Sequence, residues 1–323
     1  MTVLVLVEHD RGVLATATLE VLTFARSLGG DVHALTIGAV ADAIAAKLAT
    51  FGVAAVHQAH HDLLADYGPD AWADTVVSLL SSVRTSVVLA CGTDRGNEVL
   101  AQVGARLDAP FVANVLPEDL TTDGEAWELT RVRWGGSLLE RASVTATVKL
   151  LTVALHAVDP TAADSPGAAT PRPFTPNIEA TAAVTLVRDR VEREAGLTLA
   201  TAGVVIGGGR GVGSAEGFAS LEALAAELGG VVGCSRAVTN NGWRNHTDQV
   251  GQTGTRIGAD VYFACGISGA IQHWVGASGA KCIIAINTDP AANMVTKADY
   301  AVIGDLHEII PAITAGVRAR KAL

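Results

Sequence analysis

The chain is poor in aromatic residues, thiols and basic charge. Phe, Trp and Tyr make up only 4% of its 323 residues. Its four cysteines, Cys91, Cys234, Cys265 and Cys282, lie far apart, form no C-x-x-C pair and sit beside apolar, strand-like residues. That spacing argues against a disulfide framework or a thiolate metal site and reads as buried, reduced thiols. Lys and Arg number 23 against 33 Asp and Glu, a net charge of −10. A nucleic-acid binder needs clustered cations to neutralise phosphates, so no nucleic-acid partner is expected. Only Arg318, Arg320 and Lys321 cluster, at the end of a helical stretch where cations complement the helix dipole. No uninterrupted apolar run approaches the ~20 residues of a membrane span. Residues 3–7 are too short for the apolar core of a signal peptide and follow no basic region. A cytoplasmic chain without direct membrane insertion is expected. His57, His60 and His61 have no acidic or thiol partner at ligand spacing, so a solvated approach to a helix is expected there rather than a metal site.

What is present is alternation. Residues 3–7, 32–37, 53–57 and 85–90 are short β-rich runs, with helical stretches at 14–28, 39–51 and 97–107. Pro69 opens a further helix where its missing N–H costs nothing. Such alternation predicts an α/β fold with a parallel sheet and helices on both faces. Residues 127–134 and 143–153 look strand-like with no long helix between them, which predicts an antiparallel addition to the sheet. Half of the ten prolines (Pro160, Pro166, Pro171, Pro173 and Pro176) then fall in one stretch. It cannot sustain a helix or a central strand, so a linker or surface excursion is expected, with a domain boundary between residues 159 and 197. The alternation restarts with strands at 203–206, 231–233, 261–267, 282–286 and 301–303, and helices at 215–228, 270–276 and 307–321. Ser214 is the expected N-cap of the first of these helices. The reading is two doubly wound parallel-sheet α/β domains, 1–190 with a proline-rich segment near 159–177, and 191–323.

The second half carries the chemistry. Residues 261–267 read as a buried strand, and Ser268-Gly269-Ala270 turns the chain tightly into a helix bearing Gln272 and His273. A strand that ends in small residues at a helix start presents free backbone N–H groups, which favour phosphate. The hydroxyl, amide and imidazole around that turn suit a polar, ring-bearing nucleotide. Gly207-Gly208-Gly209-Arg210-Gly211-Val212-Gly213-Ser214 is a second strand-to-helix turn. No frame of it satisfies G-x-G-x-x-G, yet Arg210, a cation inside a glycine-rich turn, suits a pyrophosphate. Taken alone, Cys234-Ser235-Arg236 and Val250-Gly251-Gln252-Thr253-Gly254 are ordinary turn chemistry, and Asn287 and Asp305 are turn formers at strand ends. His273 alone reads as a satisfied buried histidine. No nucleophile–base constellation stands apart from these motifs, so no catalytic residue and no metal ligand is assigned.

The order of the motifs adds to this. Gly251-Gln252-Thr253-Gly254, Gly266-Ile267-Ser268-Gly269-Ala270-Ile271-Gln272-His273, Ala285-Ile286-Asn287-Thr288-Asp289-Pro290, Ala298-Asp299-Tyr300 and Gly304-Asp305-Leu306 follow one another. So arranged, they resemble the FAD domain of the electron-transfer flavoprotein alpha subunit family. The resemblance is specific from about residue 204 to 311, and looser in the first half, where residues 3–9 look like the usual family opening. It implies a Rossmann-like FAD-binding C-terminal domain, FAD as cofactor, and an N-terminal domain that meets a beta subunit. By resemblance Arg210 and Ser235 contact FAD, and Arg236 lies beside the isoalloxazine ring. A fixed cation there favours negative charge on the ring and raises the potential of the first reduction step. In Val250-Gly251-Gln252-Thr253-Gly254 the glycines let backbone approach the flat ring, and the Thr253 hydroxyl reaches the flavin N5. Ser268, Gly269, Ala270, Ile271 and Gln272 line the helix turn, and His273 approaches the pyrimidine O2. Asn287, Asp305 and Leu306 belong with the adenosine half.

The implied role is an electron carrier rather than an enzyme with its own turnover. Electrons would arrive from flavin dehydrogenases, such as the acyl-CoA dehydrogenases of fatty acid β-oxidation, and leave one at a time for a quinone oxidoreductase or another acceptor. Two alternatives stand beside it. One is a pyridine-nucleotide-binding protein of the transhydrogenase type, which would need a catalytic base on the ligand edge. The other is a non-redox nucleotide sensor using the N-terminal domain. The chain departs from the family at three places. Asn245 and Gly258-Ala259 stand where proline is common, and Ala292-Asn293-Met294-Val295 replaces a common Ala-Pro-Ile-Phe. None removes a cofactor contact, so these departures bear on potential tuning and partner choice.

Overall fold

A computed structural model describes residues 2–188 and 197–321, and the expected boundary between residues 190 and 191 lies outside them. The chain divides into two compact units, Met1–Arg133 with Leu138–Glu192 and Trp134–Ser137 with Arg193–Leu323.

The first unit opens with β1 (Thr2–Leu6), the short ribbon β2 (His9–Asp10) and β3 (Val13–Leu14), and α1 (Thr16–Ser27). It continues through β4 (Asp31–Ile37), α2 (Ala45–Ala49), β5 (Val53–Ala59), α3 (Pro69–Leu80), β6 (Val87–Cys91) and α4 (Asp94–Leu107). The remaining strands are β7 (Phe111–Thr121), β8 (Ala126–Arg133), β9 (Leu138–Thr145), β10 (Lys149–Val153) and β11 (Thr170–Phe174). Nine strands form one sheet in the order β11-β5-β4-β1-β6-β10-β7-β8-β9. Neighbours from β11 to β7 are parallel, and β8 and β9 extend the sheet antiparallel. Successive strand side chains point to opposite faces. Val3, Val5 and Val7 therefore pack with Leu22 and Phe24 of α1, while Leu4 and Leu6 pack with Trp72 and Val76 of α3 and Leu100 of α4.

Three local readings are corrected. Residues 143–153 are not one strand, because the antiparallel part ends at Thr145 and β10 inserts between β6 and β7 with every residue buried. Lys149 disguises this central strand. Its ammonium escapes to the Ala146 carbonyl (2.9 Å) and over the Trp127 ring (5.2 Å) while its stem is buried. The proline-rich stretch is not simply a linker or surface excursion, since Thr170–Phe174 forms an edge strand parallel to β5. The Phe174 carbonyl accepts from His60 N–H on the β5 side. Side alternation then turns Pro171 and Pro173 toward the open edge, where no donor is needed. Finally, His57 is not a solvated residue but a buried one in β5, 3.2 Å from the His33 ring, and burial pushes its pKa down to about 4. Among the described residues no group of three or more His, Cys, Asp or Glu could hold a metal.

The second unit runs β12 (Val204–Gly208), α5 (Ala219–Leu228), β13 (Val231–Cys234), α6 (Arg236–Asn240) and β14 (Val261–Cys265). Then come α7 (Ile271–Ala277), β15 (Ile283–Asn287), α8 (Asn293–Lys297), β16 (Tyr300–Ile303) and α9 (Leu306–Lys321). Its sheet is wholly parallel, in the order β13-β12-β14-β15-β16. Tyr262, Ala264 and Ala285 face α7 and α8, whereas Ile206, Phe263 and Ile286 face α5 and α9. Ser214 accepts the Gly217 N–H (3.3 Å) at a 3-10 turn, Glu216–Phe218, that precedes α5. The basic end of α9 is tied to α5 by Arg318 and Glu227 at 2.6 Å. The four cysteines are free thiols, and Cys282 is half-buried while the others are buried. Among the described residues no helix is long and apolar enough to cross a membrane.

Candidate functional site

The chain leaves β12 for β13 on one side and returns to β14 on the other. Loops leaving β12 and β14 therefore diverge, and doubly wound sheets bind ligands in that crevice. A cavity of about 260 Å³ opens there. Arg210 follows β12, Ser235 follows β13, Ser268 follows β14, Asn287 ends β15, and Asp305 and Leu306 follow β16, and all six line it. The cavity thus draws on the carboxyl ends of all five strands.

Close backbone approach makes this possible. Gly266 sits at φ 60°, and a Cβ there would lie 2.7 Å from the Gly211 Cα. Gly209 and Gly211 donate to the Cys265 and Gly266 carbonyls at 2.8 and 3.1 Å, so the two loops lie against one another backbone to backbone. Arg210 stands exposed on this platform and forms no ion pair among the described residues. Arg244 differs, being committed to Glu222 (2.6 Å) and Asp248 (3.0 Å). Asn287 and Asp305 both make local structural bonds. Asn287 donates to the Ile267 carbonyl (3.0 Å) and accepts the Asp289 N–H (3.1 Å), and Asp305 accepts the His307 N–H (2.9 Å) at the start of α9. Thr288, Asp289 and Ala292 also line the cavity and were not singled out from sequence, although the motif around Asn287 contains the first two.

The other sequence-selected residues lie off the cavity lining in the same unit, where the loop of residues 250–253 and the start of α7 form a second cluster. Arg236 is the exposed first residue of α6. The loop Val250 to Thr253 lies on α7, with Gln252 N–H donating to the Gln272 carbonyl (2.7 Å). A Cβ at Gly276 would fall 2.3 Å from the Gly251 nitrogen, so helix and loop touch backbone to backbone. Thr253 is oriented from below. Its hydroxyl accepts from the amide of fully buried Gln249 (3.0 Å), which in turn accepts from Thr239 (2.9 Å). Gly269, at φ 78°, is buried against Met294, while Ala270, Ile271 and Gln272 are exposed at the start of α7. His273 is buried beneath them, its Nε2 2.8 Å from the Tyr262 hydroxyl. Burial pushes the imidazole pKa down to about 4, with the Val250 carbonyl pulling weakly the other way. Among the described residues its Nδ1 has no hydrogen-bond partner. Tyr262 was not foreseen as part of the site, because a tyrosine in an apolar strand reads as core.

Residues 198–278 match the electron transfer flavoprotein FAD-binding domain, and residues 3–185 match the electron transfer flavoprotein domain. Asn287, Asp305 and Leu306 lie beyond the first of these matches. The chain is 34% identical to electron transfer flavoprotein subunit alpha of Mycobacterium leprae, over 98% of each chain. It is 32% identical to the Bacillus subtilis protein of that name, over 97% of this chain and 96% of that one. For the Pseudomonas aeruginosa protein the identity is 34%, over 98% of this chain and 100% of that one. A thiamin diphosphate-dependent enzyme structure from Mycobacterium smegmatis aligns at a TM-score of 0.26 and 14% identity, covering 93% of this chain and 53% of its own, too weak a likeness to carry an argument. With both of its halves matched and full-length relatives above 30% identity, the chain belongs to the electron transfer flavoprotein alpha subunit family, whose second domain is an FAD-binding domain.

Proposed function

We propose that this chain is the FAD-holding subunit of a heterodimeric electron carrier, paired with a beta subunit through its first domain. The observation that carries the reading is the cavity at the carboxyl ends of all five parallel strands, with an arginine that forms no ion pair among the described residues on the glycine-rich platform at its rim. Two features fit a large, polar, flat cofactor. Backbone-to-backbone packing at Gly211 and Gly266 leaves no side chain to obstruct a phosphate, and the buried His273 Nδ1 lacks a partner among the described residues.

When bound, FAD supplies the capacity to take up and release electrons singly. The chain's residues bind and orient it. Arg210 meets the pyrophosphate, with Ser235 and Ser268 as hydroxyl partners, and Asn287, Asp305 and Leu306 lie at the adenosine end. The ring belongs with the second cluster, Val250, Gly251, Gln252, Thr253 and Gly269 to His273, and with Arg236. Arg236 supplies positive charge where reduction places negative charge. Thr253, fixed through Gln249, would offer its hydroxyl to the flavin N5. Nothing in the site favours a pyridine nucleotide, because His273, the base that chemistry would need, is a weak base bonded to Tyr262.

The electron donors are flavin dehydrogenases of the acyl-CoA dehydrogenase kind, and the acceptor is a quinone oxidoreductase or similar protein. The test is anaerobic mixing of the co-purified heterodimer with such a dehydrogenase and its acyl-CoA. Bleaching of the flavin band at catalytic dehydrogenase concentration is the expected result. Direct reduction by NADH with no response to the dehydrogenase would refute this donor.

A further inference from the structure

Tyr262 lies wholly inside the second unit, and among the described residues its hydroxyl hydrogen-bonds only the imidazole of His273. Room for it is made by β12. A Cβ at Gly207 would fall 2.2 Å from that hydroxyl, so the strand carries glycine where a β-branched residue would otherwise pack. The two rings sit 6.1 Å apart and tilted by 30°, a geometry set by the hydrogen bond rather than by stacking.

Proton counting decides the direction of that bond. If the tyrosine donates to Nε2, the ring's proton is on Nδ1, and one buried donor is left without a partner. If Nε2 donates instead, the tyrosine proton and the Nδ1 lone pair are both stranded. Each stranded buried polar group is destabilising, so the arrangement that strands one rather than two wins. Burial holds the tyrosine protonated, and the Val250 carbonyl lies near the ring. A carbonyl can only accept, so it also favours a proton on the ring nitrogen.

We infer that Tyr262 is a positioning residue that fixes His273 in its Nδ1–H form, so that the buried ring offers this proton as a hydrogen-bond donor to the bound cofactor. The cofactor half rests on the FAD reading above, whereas the tautomer is a property of the chain alone. A donor held this way assists the charge that reduction places on the cofactor without itself becoming charged.

The experiment is nitrogen NMR of ring-15N-histidine in the purified heterodimer, with His273→Gln identifying the resonance. The expected spectrum shows a protonated Nδ1 and a bare Nε2 that do not titrate across the neutral range. Tyr262→Phe removes one oxygen and keeps the ring. It is expected to move His273 from the Nδ1–H form toward a mixture with the Nε2–H form and to lower the flavin's first-electron potential, with a melting temperature a few degrees lower from the lost buried hydrogen bond. A wild-type His273 protonated on Nε2, or on both nitrogens, overturns the inference even if Tyr262→Phe fails to fold. A folded Tyr262→Phe complex with an unmoved tautomer does so too, and a shifted tautomer without a change in potential overturns the cofactor half. A complex without flavin would refute the FAD reading while leaving the tautomer measurable.

Discussion

Gly276→Ala sets two effects of known sign against each other. Alanine in a helix interior is favoured over glycine by about 1 kcal/mol. At this position, however, the new Cβ would stand 2.3 Å from the Gly251 nitrogen and 2.4 Å from its Cα, atoms of a backbone that cannot rotate away. The loop must withdraw by about 1 Å to reach ordinary contact distance. Withdrawal strains the Gln252-to-Gln272 bond (2.7 Å) and the Ile257-to-Gly276 bond (2.8 Å). Overpacking costs about 1–3 kcal/mol and each lost bond about 1 kcal/mol. Against the helix gain, a net loss of about 3 kcal/mol is expected, a fall in melting temperature of roughly 10 °C for a domain of this size. Because the same loop carries Thr253, flavin should also be released more readily. Melting followed by far-ultraviolet circular dichroism, alongside the visible flavin band, reads both. A variant that melts at or above wild type and keeps its flavin would show that the loop does not rest on α7.

Arg210→Ala is expected to leave the apoprotein melting curve unchanged, since the side chain forms no ion pair among the described residues. It should weaken cofactor retention about tenfold to a hundredfold, the worth of a charge-assisted bond, as measured by fluorescence of released flavin. Arg244→Ala is expected to do the reverse. Loss of Glu222, Asp248 and the Phe218 ring at 5.2 Å should destabilise by about 1–2 kcal/mol without changing flavin affinity, in a denaturant melt compared with a flavin titration. Glu20 is raised from 4.5 to about 7, chiefly by burial, with the His156 N–H opposing. Its contribution is therefore fully present below pH 4.5 and is lost as pH rises through about 7. Glu20→Gln should flatten that part of the stability–pH curve of the first unit.

The second domain was legible because each parallel strand is a short apolar run that ends in small or polar residues. In that arrangement the strand ends and the ligand edge coincide, so motif order along the chain maps onto one rim of the sheet. The central insertion of β10 was hidden because β10, β6 and β7 are distant in sequence and Lys149 breaks the apolar run. The edge strand at Thr170–Phe174 was hidden because its prolines forbid a central position but tolerate an edge. The Tyr262–His273 pair spans a strand, a turn and the start of a helix, and nothing in local spacing announces it. Asn287 and Asp305 show the limit of reading strand ends, since each already serves as a turn or cap in the fold.

Cofactor analysis of the purified complex tests the central claim most directly. The chain is co-expressed with its beta-type partner, denatured, and the released small molecules are separated and quantified. FAD retained on the complex in stoichiometric amount, and lost from the Arg210→Ala complex on dilution, is the expected result. A complex that carries no flavin, or that retains a pyridine nucleotide in its place, would contradict it.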